Sequence, residues 1–171
     1  KWTRLGSMNS DTPQECDTID AEGRAVEVAF DLVSTGLAIV SLAGRVLQAN
    51  QCLCGMFGYS KAELLEKTWQ EVTPPEELDR DLQQVARLLA GELESYERDK
   101  RFLRKDSSAF WGRLKVSLVR DGQGKPAFLA CLVEDITEHR RREQELADSE
   151  RRYRSLFENM NAGFVLFEVV L

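Results

Sequence analysis

From Ser95 to Ile136 the chain runs through three strand-like segments joined by short turns. "SYERDKRFLR" ends at "KDSS", and "AFWGRLKVSLVR" ends at "RDGQGKP". The middle segment sets Leu114, Val116 and Leu118 against Arg113, Lys115 and Ser117. That period of two describes a strand with one buried face. The third segment, "AFLACLVEDI", is almost entirely apolar, as expected of a central strand covered on both faces or joined to a partner. Connections this short force an antiparallel sheet. At Thr137 the composition switches to "TEHRRREQELADSERRYRSLFENM", a charged helix-former that ends the sheet.

The segments upstream supply the rest of an α+β domain. Ala25, Val28, Ala29, Leu32 and Val33 recur at helical spacing and predict a short amphipathic helix. "GLAIV" and "RVLQAN" flank a turn at Gly44 and read as a hairpin. Asn50 is placed to cap a helix carrying Leu53, Met56 and Phe57, with Gly58 as its stop. Ser60 and Glu63 form a capping-box pattern. Thr73 is expected to cap a longer helix, with Pro74 or Pro75 in its first turn. Leu78, Leu82, Val85, Leu88 and Leu89 are its expected apolar stripe.

Residues 1–20 are polar and lack periodicity, which predicts a flexible lead or a non-native remnant. The expected divisions are a domain over 21–136 that includes its N-terminal helix, a linker helix over 137–160, and a strand over 161–171. The last of these rests on an internal echo. "AFDLVSTGLAIV" and "LFENMNAGFVLF" align at an offset of 127 residues, with Phe30 on Phe157, Asp31 on Glu158 and Gly36 on Gly163. A second unit is therefore expected to begin at the C-terminus. The first residue is Lys and the last lies in an apolar run, so both ends read as those of an excerpt.

Charge and hydropathy narrow the function. A net charge of −6 argues against nucleic-acid binding, and the "HRRR" run at 139–142 sits among acidic neighbours, as on a solvated helix face. No apolar run approaches the roughly 18 residues of a membrane span, so no membrane contact and a cytoplasmic location are expected. Cys16, Cys52, Cys54 and Cys131 have no disulfide-framework spacing. Cys52 and Cys54 point roughly 200° apart on a helix, which argues against a shared metal. No nucleophile–base pair is evident around the one His, and a catalytic role is not expected.

The order of elements and several motifs resemble a PAS domain of the S-box type. The resemblance covers about residues 24–140. It is carried by "GLAIVSLAGRVLQANQCLCGMFGYSKAELL", by "YERDKRFLRKDSSAFW", and by Asp135-Ile136-Thr137 before the charged helix. It implies a five-stranded antiparallel sheet with helices on one face, flanked by N-terminal and C-terminal helices. It also implies a sensory and dimerisation module rather than an enzyme. Such a module relays ligand or partner binding through its exit helix to a downstream output domain, a histidine kinase or cyclic-dinucleotide enzyme. A ligand-free protein–protein interaction module is the alternative.

The family's cofactors are disfavoured. Trp69 stands about where the light-sensing branch has its flavin-reactive Cys, and Phe102, Gly112 and Val133 stand where that branch has amides. Tyr96 stands where the non-covalent flavin branch has a Trp. The long helix lacks a His for haem, and His139 lies beyond the sheet. An unknown small ligand remains open beside a packed, empty core. The candidate pocket residues are Ile39, Cys52, Leu53, Met56, Phe57, Phe102, Leu114, Val116, Leu129, Cys131 and Val133, with Cys52 expected inward and Cys54 outward. Arg98 and Lys100 share strand parity with Phe102. They either receive an anionic ligand or pack their stems and hold their charges in solvent. Asp135, Ile136 and Thr137 are the expected signal relay, with Thr137 capping the exit helix. Leu146, Tyr153, Phe157 and Met160 are the expected seam of a homodimer.

Overall fold

The computed structural model describes the backbone of residues 15–167 and the side chains of residues 24–158. Helix α1 (Glu15–Leu32) leads into the hairpin β1 (Gly36–Ser41) and β2 (Val46–Ala49). Helices α2 (Gln51–Phe57), α3 (Lys61–Leu65) and α4 (Pro75–Leu89) follow, with a 3-10 turn at Trp69–Val72 before α4. Strands β3 (Ser95–Leu103), β4 (Ala109–Arg120) and β5 (Pro126–Asp135) precede α5 (Thr137–Phe167). The spatial order is β2-β1-β5-β4-β3, with every neighbouring pair antiparallel. The last strand therefore lies at the centre of the sheet. α2 packs on β1, α3 on β2 and α4 on β3, with the core between helices and sheet.

Asn50 ties three elements together, and its side chain is fully buried. Its Oδ1 accepts from the N–H groups of Leu37 and Leu53, each at 2.9 Å. Its Nδ2 donates to the carbonyls of Phe30 at 3.0 Å and Thr35 at 2.9 Å. Two lone pairs and two N–H donors are thus all used. The expected cap of α2 also fixes where α1 ends and β1 begins. At the other end of α2, Gly58 takes a left-handed φ of 73° and its N–H returns to the Cys54 carbonyl, a conformation glycine adopts without a Cβ penalty. The Ser60–Glu63 capping box forms as its spacing predicts.

Several expectations change. α1 begins at Glu15, so helix occupies part of the segment read as a flexible lead; residues 1–14 lie outside the described residues. Its apolar positions stay in solvent, with Val28 57% and Leu32 77% exposed. Thr73 does not cap α4, whose cap position is Pro74 without a side-chain bond. The inward face of α4 runs through Asp81, Val85 and Leu88, while Leu82 and Leu89 are exposed. α5 continues to Phe167, so residues 161–167 are helical where a strand was expected, and 168–171 lie outside the described residues. β5 is central but covered on one face only: Leu129 and Val133 are buried and Leu132 is exposed.

Asn50→Ala is expected to cost about 2–4 kcal/mol, because it strands buried backbone groups at three element junctions. A urea unfolding midpoint unchanged from wild type would contradict this.

Candidate functional site

The side chains that could carry function gather at a core cavity and at the joint where β5 becomes α5. The cavity has a volume of about 70 Å³ and lies between the sheet and helices α2–α4. Of the expected pocket residues, Leu53, Phe57, Lys100, Phe102, Leu114, Val116, Leu129, Cys131 and Val133 line it. Ile39, Cys52, Met56 and Arg98 do not. Ile39 points to the opposite face, because β1 buries Gly36, Ala38 and Val40. The two cysteines of α2 exchange their expected places. Cys54 shares the buried stripe with Leu53 and Phe57, whereas Cys52 is half-buried and its Sγ donates to the Ser34 carbonyl at 3.2 Å. Met56 packs beside Gly36 at the margin of the core.

A charge network closes one end of the cavity. On α4, Glu77 and Asp81 are four residues apart and share a helix face. On β3, Arg98 and Lys100 are two apart and share a strand face. The two periodicities meet, and each base finds a carboxylate. The Lys100 ammonium bonds Asp81, and both side chains are only 1% exposed. Arg98 donates to Asp81 Oδ1 at 2.9 Å and also pairs with Glu77. Lys100 Nζ donates to Thr73 Oγ1 at 2.9 Å, and that hydroxyl donates in turn to the Trp69 carbonyl at 2.9 Å. Thr73 therefore serves the lysine rather than α4. The partner of the two bases is internal, in place of an anionic ligand or solvent.

Burial pushes the Lys100 ammonium below its usual range, while the neighbouring Asp81 carboxylate opposes that shift. Burial also pushes the Cys131 thiol up to about 12 and raises that of Cys54, which makes both poor nucleophiles at neutral pH. Lys100 Nζ lies 4.5 Å from the centroid of the Phe102 ring. Phe102 is seated over Gly112, where a Cβ would come within 2.6 Å of the ring, so the glycine makes room for it.

Phe57, Phe102 and Phe110 form an aromatic cluster with centroid separations of 5.2–5.4 Å. The Arg104 guanidinium lies 4.3 Å above Phe110. It also bonds the Met56 carbonyl at the end of α2 and donates to Asp135 Oδ2 at 2.9 Å. Asp135 Oδ1 accepts the Thr137 N–H at 3.0 Å, so Asp135 caps the exit helix. The Thr137 hydroxyl instead accepts the Trp111 N–H at 3.0 Å and ties α5 to β4. Burial raises the Asp135 carboxyl, but the bonds from Thr137 and Arg104 outweigh it and hold it below its usual range. Ile136 is buried, and its N–H donates to the Trp111 carbonyl at 2.9 Å. Arg140 stacks 4.0 Å over the Trp111 ring. The three expected relay residues thus meet at one joint, with Arg104 and Trp111 added to them.

The expected seam residues Leu146, Tyr153 and Phe157 are all more than half exposed, as is Leu156. The Met160 side chain lies outside the described residues.

A family model described as the PAS domain matches residues 34–138. The chain belongs to the PAS domain family. It is 41% identical over 116 residues to the probable diguanylate cyclase DgcE of Escherichia coli (strain K12), covering 68% of this chain and 10% of that protein. It is 26% identical over 120 residues to the sensor histidine kinase TmoS of Ectopseudomonas mendocina, covering 70% and 12%. The chain therefore spans about a tenth of the length of these curated relatives. Among solved structures, a PAS domain from Colwellia psychrerythraea superposes with a TM-score of 0.62 at 19% identity, covering 70% of this chain and 98% of that one. An RNA-binding light-oxygen-voltage receptor superposes with a TM-score of 0.63 at 21% identity, covering 86% and 42%. These two likenesses concern the fold alone. As a PAS domain related to a cyclase and a sensor kinase, the chain is a sensory signalling module rather than a catalytic domain. No helix among the described residues is long and apolar enough to cross a membrane.

Lys100→Met alone is expected to lose about 1.5–3 kcal/mol of stability, since buried Asp81 keeps Arg98 but loses its charged bond to the ammonium. Adding Asp81→Leu should restore most of that loss. Denaturant unfolding of the two variants checks this, and a double variant no more stable than the single one would contradict it.

Proposed function

We propose that this chain is the sensory and dimerisation module of a longer cytoplasmic regulator whose output domain is a cyclic-dinucleotide enzyme or a histidine kinase. In this reading the state of the core cavity biases the orientation of α5, and α5 carries that bias to the output domain. The supporting observation is the position of Arg104. Its guanidinium touches the aromatic cluster that walls the cavity, the end of α2, and the Asp135 cap of α5. A shift of Phe57 or Phe102 therefore reaches the base of α5 through packed and hydrogen-bonded groups. The transition is a population shift between two helix arrangements.

Dimerisation fits the exposed apolar residues of both terminal helices. Val26, Val28 and Leu32 on α1, and Leu146, Tyr153, Leu156 and Phe157 on α5, present apolar surface to solvent. A second copy of the chain would bury it. The runner-up is a ligand-free interaction module. It is favoured by the small cavity volume, far below the roughly 300 Å³ at which drug-sized sites begin.

Thr137→Ala in the full-length protein is expected to change the output activity several-fold, and more than it changes any cavity affinity, while leaving the fold intact. Output equal to wild type, with unchanged circular dichroism, would contradict the relay. Light scattering of the 171-residue chain at high micromolar concentration should give the mass of a dimer.

A further inference from the structure

We propose that the core cavity receives a neutral molecule of about three or four non-hydrogen atoms carrying one hydrogen-bond acceptor, which docks on Lys100 Nζ. This deepens the sensory reading above and rests on it.

Size sets the first limit. The cavity measures about 70 Å³. An engineered protein cavity of about 150 Å³ holds benzene, which has six heavy atoms. Half that volume admits about three or four.

Hydrogen-bonding capacity sets the second. An ammonium has three donors. Lys100 Nζ spends one on Thr73 and one on Asp81. The third has no oxygen acceptor among the described residues; its surroundings include the Phe102 ring and, at 5.9 Å, the Trp69 ring. Lys100 is 1% exposed and lines the cavity, so one unspent donor is available inside it.

Most of the remaining wall is apolar, Val40, Leu53, Leu129 and Val133 among it, while the polar side chains of Thr73, Asp81 and Tyr96 lie in the same lining as Lys100. An occupant with an apolar body and one acceptor matches both parts of this surface, and it gains over a water by covering the apolar wall.

Charge sets the third limit. Lys100 and Arg98 are balanced by Asp81 and Glu77, so the network is neutral. An anion or a cation entering the cavity would bring an uncompensated buried charge, which is far costlier than a neutral group. Short ketones, aldehydes and alcohols fit. Carboxylates and amines of the same size do not.

The test is an amide NMR titration of the 171-residue chain with acetone, 1-propanol, propionate and propylammonium. Acetone and 1-propanol should bind saturably, with dissociation constants of about 0.1–10 mM as the energy available per atom allows, and should shift the Phe102 and Val133 amides. Propionate and propylammonium should bind at least about tenfold more weakly. The double variant Lys100→Met, Asp81→Leu should bind acetone about tenfold more weakly or worse. It should still take up xenon, which needs no donor and reports that the cavity persists. Propionate binding as tightly as acetone, or no saturable binding of either neutral probe, would overturn the proposal whatever the variant does. Acetone affinity unchanged in the double variant would overturn the role of Lys100. The relay is read separately, through the output of the Thr137 variant, so this site can fail while the relay stands.

Discussion

The pairing of Lys100 with Asp81 is the interaction on which the upper half of this domain depends. It joins β3 to α4 at a point where both side chains are out of solvent. α4 also packs Leu88 and Val85 into the core, while Leu82 and Leu89 lie in solvent and Asp81 sits on the inward face among apolar neighbours. A carboxylate can be buried there only where a base meets it. The ion pair therefore fixes the register of α4 on β3 together with this apolar contact, and it forms one end of the 70 Å³ cavity. Thr73 and the 3-10 turn before α4 are drawn into the same arrangement through the hydroxyl that Lys100 bonds.

The second constraint is at the opposite side of the aromatic cluster. Arg104 sits at the end of β3, one residue beyond Leu103, and reaches α2, Phe110 and Asp135. α5 leaves the sheet under three restraints. These are the Asp135 cap, the Thr137 hydroxyl on Trp111, and the buried Ile136 between them. Phe57 and Phe102 line the cavity, and Phe110 packs between them and the Arg104 that reaches the exit helix. A sensory module requires such a connecting element, because a ligand shifts an equilibrium only through groups that differ between its two states.

Much of the fold is legible because its local signals agree. Period-two alternation marks β4, short turns mark the antiparallel order, and Asn50, Gly58 and the Ser60–Glu63 box mark the ends of α2 and α3. The misreadings have physical causes. In "GLAIVS" both faces of β1 carry apolar residues, so hydropathy does not reveal that Ala38 and Val40, not Ile39, face inward. On α2 the buried stripe runs through 53, 54 and 57, and Cys52 falls just outside it. Glu77 and Asp81 lie about twenty residues from Arg98 and Lys100, so no local pattern joins them. The sequence clue is two acids at helical spacing ahead of two bases at strand spacing. Thr137 has the type and position of a cap, but Trp111 claims its hydroxyl and Asp135 takes the capping role.

Coupling through Arg104 means that the cavity wall and the base of α5 move together. Amide chemical shifts of the Phe102→Leu variant are the most direct check. Shifts are expected at Trp111, Ile136 and Thr137 as well as around the cavity, and those distant shifts should be lost when Arg104→Met is added. Perturbations confined to the cavity, with the three joint amides unmoved, would contradict it.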